Sequence, residues 1–316
     1  MKILLIRRGA LGDTIVTLPL IQTLNEKFRN CHIEVIGEKS YWSLIYPDYI
    51  NKITASDSKY INSLYLEQSL DEEIVQYYKE FDLIFGFLLD REGTVKRHFK
   101  DMDISNYSFK EPFTEKVGEH IVQYTTSILD EAGISYDDNK APKIDIERSG
   151  VVYAEKLFNE LGCNEKLISI HPRTYGIKGL TLDKFIELGR WVEDELSGIP
   201  IWILGPVEQD IREELESCFN RDTVISENDL RKVAAIISAT DFYVGCDTGI
   251  THLAAAAGVN TISIFGPTNP DIWGSLGNNV KIIKTDNLDT FDNGIVKQLI
   301  INNINSGITK REIIQA

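Results

Sequence analysis

The stretch Arg8-Gly9-Ala10-Leu11-Gly12-Asp13-Thr14 holds the first residues of this sequence that could do chemistry. Gly9 and Gly12 let the backbone approach a ligand closely, and a helix that starts here presents free N–H groups. A carboxylate beside them, Asp13, can take a proton from a hydroxyl. Its plainer use is to cap the helix. The spacing excludes two better-known loops. A dinucleotide fingerprint needs a third glycine, and a Walker loop needs a Gly-Lys-Ser/Thr ending.

Two further clusters lie in the second half. His171-Pro172-Arg173-Thr174-Tyr175-Gly176-Ile177-Lys178 follows an apolar run, and its hydroxyls and cations suit a phosphate or diphosphate. Val244-Gly245-Cys246-Asp247-Thr248-Gly249-Ile250-Thr251-His252 then leads into Leu253-Ala254-Ala255-Ala256-Ala257-Gly258. A strand that turns through Asp-Thr-Gly into a helix of small residues aims a carboxylate, a hydroxyl and helix N–H groups at one point. Diphosphate on the N–H groups and a sugar on the carboxylate would use all of them. A buried structural turn is the plainer reading. Asp101-Met102-Asp103 also matches a metal-holding Asp-x-Asp pair, but it sits in a charged stretch rather than after a buried strand, which favours a solvated surface. The Asp-Thr-Gly of aspartic proteases would need two copies in an all-β chain, and there is one in an α/β pattern.

The elements that must position these residues alternate along the chain. Ile3–Ile6, residues 33–36 and Leu83–Phe87 have the continuous apolar character of strands covered on both faces. Ile15, Leu18, Ile21, Leu24 and Phe28 fall at helical spacing, with Pro19 tolerable only if the helix starts late or bends. Residues 51–80 show no clear period, and residues 91–118 look irregular, with Lys96-Arg97-His98-Phe99-Lys100 as the basic cluster. Helices fit about 119–132 and 150–161, before a hinge at Gly162–Glu165. Beyond it, strands are expected at 167–170, 199–204, 223–225, 242–244, 261–265 and 280–283. Helices fit at 181–196, 208–219, 229–238 and 249–257. This βαβα order predicts parallel sheets with helices on both faces, and ligands at the carboxyl ends of their strands.

The 316 residues suffice for two such domains, 1–162 and 163–316. The net charge of −15, shared by both halves, argues against general nucleic-acid binding, which needs a basic face. The scattered Cys31, Cys163, Cys218 and Cys246 read as reduced thiols in a cytoplasmic protein. The apolar run before Arg7-Arg8 is too short for a signal peptide or a membrane span.

With these motifs in place, the sequence resembles the ADP-heptose:lipopolysaccharide heptosyltransferase family. The resemblance is carried by the Gly-Ala-Leu-Gly-Asp core, the His171–Lys178 loop, Gly205–Glu208, and Asp247–Gly258 followed by Phe265-Gly266-Pro267-Thr268. It implies a GT-B fold, two Rossmann-like domains whose parallel sheets face across a cleft. The N-terminal domain would bind the acceptor and the C-terminal domain the ADP-sugar, with the last helix able to pack back on the first domain. It further implies inverting, metal-independent transfer of heptose from ADP-heptose to a sugar hydroxyl of the lipopolysaccharide inner core. By the same resemblance, Asp13 is the catalytic base, Thr174 and Lys178 hold the donor diphosphate, and Glu208 holds the adenosine ribose. Asp247 would hold the heptose hydroxyls, and Thr248 and Gly249 would form the diphosphate-binding helix start with His252 beside them. No cofactor is expected, ADP-heptose being a substrate. The family expectation is a cytoplasmic enzyme loosely attached to the inner membrane.

The residues leave other functions open. The same fold could use another nucleotide sugar or a surface-glycan acceptor. A nucleotide-sugar epimerase would need further acid and base residues, and a non-enzymatic binding protein would have no use for Asp13.

Overall fold

A computed structural model describes residues 1–112, 118–162, 165–172, 176 and 179–316. The chain divides into two compact units, Met1–Lys140 and Ala141–Ala316. This division falls earlier than the sequence-based boundary after residue 162. The helix Arg148–Glu160 belongs to the second unit because it packs on the helix Leu230–Ser238, and Ile144 N donates to Ala256 O just before it. The expected hinge at 162–165 includes residues 163 and 164, which lie outside the described residues.

The first unit carries five parallel strands: β1 (Lys2–Arg7), β2 (His32–Gly37), β3 (Lys52–Ala55), β4 (Leu83–Phe87) and β5 (Tyr107–Lys110). Their order in the sheet is β3-β2-β1-β4-β5. β1 is central, with Ile3 opposite Ile33 on one side and Leu83 on the other, and Ile3 through Ile6 are fully buried. The chain therefore winds outward from β1 in one direction, returns, and winds outward in the other through β4. The gap between the ends of β1 and β4 is the switch point at which open α/β sheets bind ligands.

The second unit repeats the plan with β6 (Leu167–His171), β7 (Ile199–Leu204), β8 (Val224–Ser226), β9 (Phe242–Cys246), β10 (Asn260–Phe265), β11 (Val280–Lys284) and β12 (Glu312–Gln315). Their order is β12-β11-β10-β9-β6-β7-β8, all parallel, with the switch point between β6 and β9. Trp202, Phe185, Val244 and Ile262 lie in the core shared by this sheet and its helices. The expected α/β class with two Rossmann-like units is what the structure shows.

Several local expectations are corrected. The helix read across Pro19 is two helices, α1 (Leu11–Val16) and α2 (Leu18–Lys27), with Thr17 between them donating its hydroxyl to the Asp13 carbonyl and Pro19 in the first turn of α2. Proline lacks only an N–H that this turn leaves unbonded anyway. The stretch read as irregular contains a helix, Thr94–Asp101, and β5. The helix read from Glu208 begins later, with a single 3-10 turn at Gln209–Ile211 before Arg212–Cys218. The last helix, Gly294–Asn303, buries Val296 and Ile300 in the core of the second unit, and β12 beyond it pairs with β11.

Candidate functional site

In the first unit the site is built from the end of β1. Its apolar run closes with Arg7, whose side chain is 1% exposed and lies over the Phe87 ring of β4, 4.6 Å from the centroid. Arg7 donates to the Pro112 carbonyl at 3.1 Å and to Asp13 Oδ1 at 2.7 Å. Burial pulls the guanidinium below its usual range, and the Asp13 charge acts in the opposite direction. The other Asp13 oxygen accepts the Ala10 N–H at 2.9 Å. Asp13 is therefore not at the N-cap position, which Ala10 holds, but it does cap the helix from its first turn by satisfying the Ala10 N–H.

Gly9 makes this turn possible. Its φ is +149°, and a Cβ there would lie 2.5 Å from Asp13 Oδ2. Gly12 sits inside α1, half-buried, and leaves that turn without a side chain. With Arg7 and Ala10 each using one lone pair, the Asp13 carboxylate, 32% exposed, keeps others for a substrate hydroxyl.

In the second unit, β9 runs through Cys246 into Asp247, 7% exposed, and Thr248 caps the helix Gly249–Ala256 by accepting the Thr251 N–H. Small residues let this helix lie close on β9 and β10. Gly245 leaves room for the Tyr243 hydroxyl, which a Cβ would crowd at 2.4 Å, and that hydroxyl meets Thr251 Oγ1 at 3.0 Å. Thr268 Oγ1 donates to Asp247 Oδ2 at 2.8 Å, so one carboxylate oxygen is fixed. His252 Nδ1 lies 3.2 Å from Ser275 Oγ.

His171 ends β6 opposite Gly245 of β9. Its Nδ1 donates to the Ile203 carbonyl at 2.9 Å, which turns Nε2 toward Glu208, 3.9 Å from Oε1. Glu208 is 1% exposed, and its Oε2 accepts the Gly205 N–H at 2.9 Å. It also adds to the rise that burial imposes on the Tyr243 phenol.

The structure thus gathers Glu208, Asp247, Thr248, Gly249 and His252 around the carboxyl ends of β6, β7 and β9. Asp13, Gly9 and Gly12 stand at the end of β1. Thr174 and Lys178 lie outside the described residues. Sequence reasoning missed Arg7 and Ser275, and it quoted His171 and Thr268 within motifs without giving either a role of its own. A cation closing an apolar strand was the visible signal for Arg7, but its partner becomes evident only in three dimensions. Asp101 and Asp103 are exposed at the end of their helix, and no group of three metal-capable side chains comes together among the described residues.

Comparison with known proteins bears on the family and the fold. The family model for glycosyltransferase family 9 (heptosyltransferase) matches residues 92–298. Lipopolysaccharide heptosyltransferase 1 of Pseudomonas aeruginosa is 22% identical over 299 residues, covering 88% of this chain and 82% of that protein. A glycosyl transferase of family 9 from Veillonella parvula superposes with a TM-score of 0.73 at 16% identity, covering 98% of this chain and 92% of that one. The heptosyltransferase WaaC of E. coli with ADP gives a TM-score of 0.67 at 19% identity, covering 96% and 99%. These likenesses identify the fold as GT-B.

Proposed function

We propose that this chain, which belongs to glycosyltransferase family 9, the heptosyltransferases, transfers heptose from ADP-heptose to a sugar hydroxyl of the lipopolysaccharide inner core. The observation that carries the reading is the Asp13 carboxylate at the β1/β4 switch point, held by Arg7 and Ala10 N–H and still open to solvent. Support for the donor and acceptor comes from the relative named lipopolysaccharide heptosyltransferase 1 and from the similar fold solved with ADP-2-deoxy-2-fluoro heptose.

In this mechanism Asp13 accepts the proton of the acceptor hydroxyl as its oxygen attacks the anomeric carbon. The bond from that carbon to the donor diphosphate breaks, ADP leaves with the electron pair, and the anomeric configuration inverts. Asp247, aimed by Thr268, holds hydroxyls of the sugar. The N–H groups at Thr248 and Gly249, with Thr174 and Lys178, take the diphosphate, and His252 lies beside it. Glu208 serves the adenosine ribose, and the Gly205 N–H fixes its carboxylate beside His171. Lys178 and the helix N–H groups neutralise the charge growing on ADP, so the reaction runs without a metal.

No helix among the described residues is long and apolar enough to cross a membrane. Within this reading the enzyme works in the cytoplasm, and any attachment to the inner membrane is peripheral. A thermal-shift series with ADP-, UDP- and GDP-sugars tests the donor. A ligand at 100 times its Kd stabilises by about 2.7 kcal/mol, and ADP-heptose is expected to give the largest rise. A larger rise with a UDP-sugar would assign another donor to the same fold.

A further inference from the structure

The stretch from Gly266 to Ser275 follows β10 and meets the donor side of the second unit at two points. Near its start, Thr268 Oγ1 donates to Asp247 Oδ2 at 2.8 Å, and at its end Ser275 Oγ lies 3.2 Å from His252 Nδ1. Between them is one short turn of helix, Pro270–Trp273, capped by the Asn269 side chain. So short a turn satisfies few of its own carbonyls and does not hold its shape alone. Groups outside it must fix the distance between Thr268 and Ser275.

Arg311, just before β12, does so. Its Nε donates to the Ser275 carbonyl at 2.9 Å and its Nη2 to the Pro270 carbonyl at 3.4 Å. The guanidinium is a rigid planar fork, so one side chain sets the spacing of the two carbonyls. Asn269 is extended, as the following proline requires, and carries that constraint back to Thr268. The Pro270 carbonyl also accepts the Gly274 N–H at 2.9 Å. Gly274 leaves the space in which these groups meet, since a Cβ there would lie 2.8 Å from Arg311 Nη2.

The frame that carries Arg311 is itself held. β12 pairs with β11, setting Ile313 opposite Ile282, and Glu312 accepts from Lys281 Nζ at 2.7 Å. Lys284, which ends β11, donates to the Gly266 carbonyl and grips the other end of the stretch. Gly266, Pro270 and Ser275 are thus pinned through their carbonyls, while the side chains of Thr268 and Ser275 meet Asp247 and His252.

We propose that Arg311 is a positioning residue for the nucleotide-sugar donor: it fixes the turn that keeps Ser275 on His252 and Thr268 on Asp247. The inference rests on the reading of Asp247 and His252 as donor groups. It adds to that site a residue beside the edge strand, which makes its contribution through backbone carbonyls.

Calorimetry with ADP-heptose on Arg311→Met tests this. Affinity should fall about tenfold, the combined scale of the two neutral hydrogen bonds that the turn maintains. The same substitution is then made in a Thr268→Val/Ser275→Ala background, where those bonds are already absent and the Ser275 carbonyl remains. There it should cost less than about twofold, because groups that act through one another are not additive. Arg311→Lys, which keeps a cation but cannot span both carbonyls, should show the same pattern more weakly and serves if the methionine variant does not fold. An unchanged affinity in the single variants, or a full further loss in the combined one, overturns the proposal. A second readout needs no donor: the ring-nitrogen NMR signals of His252, assigned by their loss in His252→Gln, should move in Arg311→Lys. If wild-type protein binds no ADP-heptose, the donor reading fails, and these signals still decide the clamp: a shift upholds it, and unchanged signals reject it.

Discussion

Arg7, buried to 1% exposure, donates to Asp13 over 2.7 Å, while Asp13 keeps 32% of its side chain open. A buried cation thus holds a half-open carboxylate in place, aided by the Ala10 N–H and by the absence of a Cβ at Gly9. Arg7 touches no substrate in this account; it positions the group that does. Arg7→Met should lower kcat by about tenfold and stability by about 2 kcal/mol, since it removes a charge-assisted hydrogen bond and the stacking on Phe87. ADP affinity measured by calorimetry should stay unchanged. A variant with wild-type kcat would make the ion pair purely structural.

The donor assignments predict a crossing pattern. Thr268→Val keeps the side-chain shape but removes the hydroxyl that orients Asp247. It should weaken the intact sugar nucleotide roughly three- to tenfold, the scale of one neutral hydrogen bond, while sparing ADP. Asp247→Ala should show the same selectivity more strongly. Lys178→Ala should weaken ADP and donor alike, because it removes a cation from the diphosphate. If Asp247→Ala loses ADP as badly as Lys178→Ala, its carboxylate does not serve the sugar.

Under the proposed donor assignments, which set Lys178 and helix N–H groups against the charge on the leaving diphosphate, turnover should persist in excess EDTA. Activity lost in EDTA and restored by magnesium or manganese would require a metal site that this account lacks.

Alkaline pH should destabilise both units. Burial pushes the phenols of Tyr77 and Tyr78 in the first unit and Tyr243 in the second above the usual tyrosine range, Tyr77 also through its hydrogen bond to Glu34. Above about pH 10 the unfolded chain releases these protons while the folded chain retains them. Their contribution is therefore complete below that pH and lost as pH rises, by about 1.4 kcal/mol per pH unit for each group. Urea unfolding between neutral and alkaline pH checks this, and Tyr77→Phe should make the decline shallower. An unchanged slope in that variant would contradict the assigned cause.

The central strands and the Asp-Thr-Gly corner were legible because their signals are local: apolar runs, a Thr cap and a run of alanines. The edge strands β3 and β12 were not, since each is four residues long and half exposed, and so shows no apolar run. In Thr94–Asp101 the basic residues obscured Val95 and Phe99, whose spacing of one turn marks the buried face. The division after Lys140 depends on tertiary contacts of Ile144 and the helix Arg148–Glu160, which no linker composition announces. Asp13 looked like a cap because its position suits one. It does cap, through the Ala10 N–H, and that the same carboxylate also takes the buried Arg7 follows only from the fold.

The most direct measurement is turnover by Asp13→Asn beside its affinity for ADP. Asparagine retains one oxygen but sets an amide against Arg7 or the Ala10 N–H, so stability should fall by about 1–3 kcal/mol with the fold intact. If Asp13 is the base, kcat falls by about 100-fold or more while ADP binds as in the wild type. A folded Asp13→Asn enzyme that keeps more than about a third of wild-type turnover would contradict the account, because a lost general base costs far more than that.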